Sequence, residues 1–154
     1  MKIKVSGPKS IKLPDAAVDF DLVQERMQVM ARHQAEEFAK AMTIGLHEVA
    51  ELADQSHGVE GVVPDEFSGI KEDADHVQFV ARERPHSLVG DHDMSEVEVV
   101  VDDKPVPSGR DPETVVGAFE FGSAALDVPA TQFTRRVEQE QERKAGNGWK
   151  GILG

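Results

Sequence analysis

Residues 19–54 constrain the fold more than any other stretch of the chain. Apolar side chains recur there at Val23, Met27, Met30, Ala31, Ala35, Phe38, Met42, Leu46, Val49 and Ala53. Steps of three and four place them on one stripe of an α-helix. Ala, Glu, Gln and Met fill the positions between, and these residues favour helix. Asp19 or Asp21 can cap the start. Gly58, after Gln55-Ser56-His57, marks the expected end, and Gly45 marks a bend or a close packing contact. Such a helix is about 50 Å long at roughly 1.5 Å per residue. A chain of 154 residues fits one domain, so a helix of that length either breaks or projects.

Around the helix the pattern changes. Residues 1–14 form an arm in which Ile3, Val5, Ile11 and Leu13 alternate with lysines, broken at Gly7-Pro8. Residues 58–75, with Gly58, Gly61, Pro64, Gly69 and a cluster of acids, read as a loop. Three strands are expected next, each with apolar residues at every second position. They are His76–Arg82 (Val77, Phe79, Ala81), Glu96–Asp102 (Val97, Val99, Val101) and Thr114–Phe121 (Val115, Gly117, Phe119, Phe121). The segments between, 83–95 and 103–113, are rich in Pro, Gly and Asp, as turns are. A last helix is expected over Thr131–Ala145, capped by Thr131 and ended by Gly146. The expected fold is α+β, with a long N-terminal helix packed on a small antiparallel sheet of three or four strands and a C-terminal helix. Residues 1–146 form the domain. Residues 147–154 form a Gly-rich tail that carries Trp149, Ile152 and Leu153, to be docked on a neighbouring subunit or left free.

Charge and composition exclude several classes of function. The net charge is −12 and the pI about 4.8, which argues against a protein that grips phosphates through lysine and arginine. There is no cysteine, so disulfides and thiolate metal sites are excluded. No apolar run approaches the roughly 20 residues of a bilayer span, and the N-terminus has no secretory pattern. Aromatics are few, seven Phe and one Trp, a modest core for a monomer.

The segment 119–133 carries the most specific pattern. Phe119-Glu120-Phe121-Gly122-Ser123 ends the third expected strand, and Pro129-Ala130-Thr131-Gln132-Phe133 leads into the last helix. Gly122 permits a backbone approach that a Cβ hinders. Phe119 and Phe121 are expected to anchor the sheet on the first helix, Pro129 to set the entry into the last helix, and Phe133 to pin it.

With the order of elements, these residues resemble the neck and tail-completion proteins of long-tailed bacteriophages, the minor tail-component family. Members have a long charged N-terminal helix, a loop with a Pro…Thr-Gly-Leu-like motif, and an antiparallel sheet. A strand ending in Glu-Phe-Gly-Thr then precedes a proline, a Phe and a closing helix. Here Ser123 stands in place of the usual Thr, and Pro64…Ser68-Gly69-Ile70 is a loose counterpart of the loop motif. The resemblance implies a non-enzymatic virion protein that forms a homo-oligomeric ring, hexameric or dodecameric. The ring would sit at the head–tail junction or tail end, next to connector, stopper or tail-tube proteins, and be assembled in the host cytoplasm. Double-stranded DNA would pass through it without specific binding. A carboxylate-lined channel repels phosphates, with Asp65, Glu66, Glu72 and Asp73 as channel-facing candidates, or Asp91, Asp93, Asp102 and Asp103. Arg135 and Arg136, with Arg143 and Lys144, would pair with a neighbouring subunit or with Glu138, Glu140 and Glu142 on their own helix.

The alternatives are weaker in motif. His86, Asp91, His92 and Asp93 lie within eight residues and have donor types suited to a divalent metal, but at no established ligand spacing. His33 and His47 lack the Glu of a His-Glu-x-x-His site. No phosphate loop and no nucleophile elbow is present. An acidic DNA-mimicking inhibitor fits the charge alone. No cofactor is expected.

Overall fold

Helix α1 runs unbroken from Phe20 to Glu60, about 60 Å at 1.5 Å per residue. The computed structural model describes the backbone of residues 2–5, 20–83, 87–89, 92–94 and 97–153, and the side chains of 26, 28–83 and 97–144. The expected stripe is the packed one from Ala35 onward: Ala35, Phe38, Met42, Leu46, Val49 and Ala53 are buried, joined by Ala39 and Ala50. Gly58 does not stop the helix. Gly61 does, at φ 114°, with its amide donating to the Gly58 carbonyl at 3.2 Å. A left-handed φ costs glycine little, which suits it to the helix end.

The expected loop at 58–75 is largely a helix. α2 spans Asp65–Asp75, with Pro64 at its N-cap position and Asp65 and Glu66 in its first turn, where carboxylates favour the helix dipole. Phe67, Ile70 and Ala74 are buried at steps of three and four. Lys71 ties α2 to α1 through Glu51 at 3.2 Å and also pairs with Asp75 at 3.0 Å. The Phe67 ring meets His57 of α1 at 4.5 Å and Phe119 at 6.5 Å.

Strands β1 (Lys2–Val5), β2 (Phe79–Glu83) and β5 (Val97–Val101) form an antiparallel sheet in the order β1-β5-β2. Ile3, Val99 and Ala81 share one cross-strand row, and Lys4, Glu98 and Arg82 the next. Val97, Val99 and Val101 enter the same core as α1. α1 is tied to the start of β2 by two polar contacts. The Phe79 amide donates to Thr43 Oγ1 at 2.9 Å, and His47 Nε2 donates to the Val77 carbonyl at 3.1 Å. Arg32 of α1 also pairs with Glu83. Strands β3 (Ser87–Val89) and β4 (His92–Met94) form a separate antiparallel hairpin within the expected linker. The rest of the expected N-terminal arm, 6–14, lies outside the described residues.

The third expected strand is a helix. α3 spans Pro112–Phe121, with Asp111 at its N-cap accepting from the Glu113 amide at 3.0 Å and Pro112 opening the first turn. Val115, Val116, Ala118, Phe119 and Glu120 are buried, while Phe121 is 76% exposed. Phe121 therefore does not anchor the core, contrary to the alternating reading. Phe121→Ala should change the unfolding free energy by less than about 0.5 kcal/mol in urea denaturation, the usual range for a surface position. A loss of several kcal/mol would restore the core reading.

Helix α4 spans Phe133–Leu153, so neither Gly146 nor the Gly-rich stretch 147–153 interrupts it. A separate tail at 147–154 is not what the backbone shows up to Leu153. Phe133 is buried and Val137 packs against the core. A Cβ at Gly45 of α1 would meet Val137 Cγ2 at 3.1 Å and the Phe133 ring at 3.4 Å. This glycine marks close helix packing, with no break in α1. The fold is thus α+β and helix-rich. The single sheet of three or four strands gives way to a three-stranded sheet and a separate hairpin.

Candidate functional site

The segment 119–133 is a joint between α3 and α4. α3 ends at Gly122, whose amide donates to the Ala118 carbonyl at 2.8 Å. Gly122 sits at φ 84° and ψ 161°, a region essentially reserved for glycine. Ser123 and Val128 then exchange two backbone hydrogen bonds of 2.9 Å across a tight turn. The returning chain passes so close to Gly122 that a Cβ there would lie 2.9 Å from the Ala130 nitrogen and 3.2 Å from the Val128 carbonyl oxygen. The Thr131 amide and hydroxyl both donate to the Phe119 carbonyl, at 3.0 and 2.6 Å, and the Gln132 amide donates to the Glu120 carbonyl at 3.1 Å. His57 Nε2 of α1 donates to the Asp127 carbonyl at 2.8 Å and holds the outer side of the turn.

The cap of α4 is Glu120, and Thr131 does not serve it. The buried Glu120 carboxylate accepts from the Thr134 amide at 3.1 Å, while Thr131 spends its hydroxyl on the end of α3. A carboxylate at a helix N-terminus meets unpaired amides and the positive end of the dipole. Glu120→Ala removes that acceptor from a buried position. It should cost about 1–2 kcal/mol, and Glu120→Gln, which keeps an acceptor oxygen, should cost less. Equal losses in thermal melts would show that the carboxylate is not the cap.

The other expected residues are dispersed. Pro129 is exposed at the end of the turn, and Phe133 is buried. Asp65, Glu66 and Glu72 are exposed on α2. Asp73, unlike them, is buried: it is 1% exposed and faces inward. It accepts from the Ser108 amide at 3.0 Å, from Ser108 Oγ at 2.5 Å and from Arg110 Nη1 at 2.7 Å. It clamps the 102–111 loop onto α2 and is not channel-facing in this fold. Burial works to raise the Asp73 carboxyl, but hydrogen bonds from Ser108 and Arg110 and the guanidinium charge outweigh it and hold the group below the usual carboxylate range.

Arg135 and Arg136 are exposed on α4, as is Arg143. Among the described residues the pair formed along this helix is Lys144 with Glu140 at 3.5 Å, and none of the three arginines has a carboxylate within ion-pair distance. Trp149, Ile152 and Leu153 lie on the last turns of α4, and their side chains are outside the described residues. The same holds for the side chains of the His86–Asp93 stretch. Among the described residues no group of three or more His, Asp or Glu is arranged to hold a metal ion, and no helix is long and apolar enough to cross a membrane.

Comparison with protein-family models, with curated proteins and with solved structures finds no match to this chain.

Proposed function

We propose that this chain is a structural virion protein that forms a homo-oligomeric ring at a phage head–tail junction or tail end and lets DNA pass without binding it. The observation that carries the reading is the 119–133 joint. Four of the positions that support the resemblance are engaged there: Phe119 and Phe133 fill the core, Glu120 caps α4 and Gly122 admits the returning chain. The motif acts at a helix end, where the sequence pattern suggested a strand end. Phe121 is exposed and is open to contact with a neighbouring subunit.

The charge fits the same reading. With −12 on each copy, a ring presents phosphates with repulsion and lets a duplex slide. The exposed Asp65, Glu66 and Glu72 remain candidates for its lining.

Light scattering across concentration, with particle imaging of the large species, tests the proposal. Closed hexameric or dodecameric rings with a central hole are the expected result, together with no retardation of duplex DNA at about 0.15 M salt. A strict monomer at every concentration, or tight duplex binding, would count against it.

A further inference from the structure

The chain between β5 and α3 is a strap fixed at both ends. The Asp102 amide donates to the Gln78 carbonyl at 2.8 Å and continues the β2–β5 ladder, and Asp111 caps α3. Between these ends, residues 103–110 contribute one buried side chain, Val106, which belongs to the core. Arg110 is half-buried, and the other six residues are exposed.

The polar ties of the strap converge on one atom group. Among the described residues, every hydrogen bond and ion pair from 103–110 to the rest of the fold ends on the Asp73 carboxylate of α2. Its donors are the Ser108 amide at 3.0 Å, Ser108 Oγ at 2.5 Å and Arg110 Nη1 at 2.7 Å. Two further bonds stay inside the strap. The Gly109 amide donates to the Val106 carbonyl at 3.0 Å, and the Arg110 amide donates to Ser108 Oγ at 3.2 Å. Pro105 and Pro107 have no amide to donate. Gly69 lies one turn before Asp73 on α2, and a Cβ there would stand 3.9 Å from Arg110 Nη1, so the guanidinium lies along this side of the helix. The anchors of the neighbouring helices are separate. Phe67, Ile70 and Ala74 hold α2, and Val115, Val116 and Phe119 hold α3.

We propose that residues 103–110 form a latch, closed by the Asp73 carboxylate, that opens as a unit while the helices and the sheet stay folded. Segments held by few buried contacts open at a lower free energy than the whole domain. Here the loss of one acceptor frees three donors together, and Val106 is the remaining hold. Opening lifts Val106 out of the core and bares the Gly69–Asp73 side of α2, which the closed strap covers. The device works in a single copy as it does in a ring subunit.

Amide hydrogen exchange on the full chain, followed at urea concentrations below the unfolding transition, tests this. The Ser108 and Gly109 amides should exchange at least about 100-fold faster than the slowest amides of α1. Their rates should be nearly flat in urea, because a local opening exposes little surface, while the α1 amides follow the slope of global unfolding. In Asp73→Ala the same two strap amides should lose nearly all their protection. The α1 amides should remain protected, and circular dichroism should keep its helical signal.

Strap amides that share both the rate and the urea slope of α1 would overturn the latch, since the strap would then open only with the whole fold. Parent-like strap protection in Asp73→Ala would overturn it too, because another contact would be holding the strap. Should that variant fail to fold, Arg110→Ala carries the test. It removes one donor of three and leaves the carboxylate in place, so strap exchange should rise roughly tenfold. Unchanged strap exchange in Arg110→Ala would count against the latch.

Discussion

Gly122→Ala should destabilise the fold by about 3 kcal/mol, seen as a fall in the urea midpoint without a change in slope. Two effects add. The backbone at φ 84° and ψ 161° lies where a side chain costs on the order of 1–3 kcal/mol. The new methyl would also stand 2.9 Å from the Ala130 nitrogen and 3.3 Å from its Cα. Those neighbours are backbone, held by the bonds from Thr131 and Gln132 to the end of α3, so they cannot swing aside as a flexible side chain would. Relieving the contact means opening the joint, which also draws Glu120 away from the α4 amide it caps. A loss below about 1 kcal/mol would mean that the returning chain leaves room for a methyl group at this position.

Asp73→Ala should have a comparable effect, about 3 kcal/mol. Removing one partner of a buried pair typically costs 3–5 kcal/mol. The low end applies because Arg110 is about one-third exposed and can turn to water. Three donors lose their acceptor together, and the loop that carries Ser108 and Arg110 loses its hold on α2. The same carboxylate makes stability depend on acid. Its folded pKa is depressed, so its contribution is present above the unfolded value near 3.9. It is lost as pH falls through the lower folded value. Asp73→Asn should flatten that part of the acid-unfolding curve, while keeping an acceptor for the Ser108 amide. Superimposable acid limbs for parent and Asp73→Asn would show that Asp73 is not the titrating group.

The long helix was legible because apolar residues at steps of three and four line up on a single face only when the chain is helical. The core strand β5 was legible for the same kind of reason, with Val97, Val99 and Val101 alternating against Glu98. α3 was not, and the reason is specific. Val115 and Phe119 are four apart, a spacing that period two and period 3.6 both accommodate. Val and Phe also favour strands. The deciding signal was outside the alternation, in Asp111-Pro112-Glu113, an N-cap followed by a proline in the first turn. In α2, Gly69 and five acids masked Phe67, Ile70 and Ala74, although Pro64-Asp65-Glu66 opens a helix acceptably. The importance of Gly122 and Phe133 could be read locally. Asp73 could not, since its partners Ser108 and Arg110 lie 35 and 37 residues away and nothing nearby in sequence points to them. Glu120 as a cap for a helix fourteen residues on was hidden similarly.

The order β1-β5-β2 also sets a timetable for the nascent chain. β1 and β2 do not pair with each other; among the described strands each pairs with β5. Lys2 meets its partner Val100 only after nearly a hundred further residues have been made. Until Val97–Val101 leaves the ribosome the three-stranded sheet lacks its central strand, and among the described strands only the β3–β4 hairpin can pair. α1 and α2 can form through local contacts, with much of their apolar surface still uncovered and two unpaired strand segments waiting. Closing so long a loop is slow but adds little to its entropic cost with further length. A stall or truncation anywhere before Val97 therefore yields a helical fragment with an open apolar face. Such a species favours aggregation, and it should be the form that chaperones and proteases encounter.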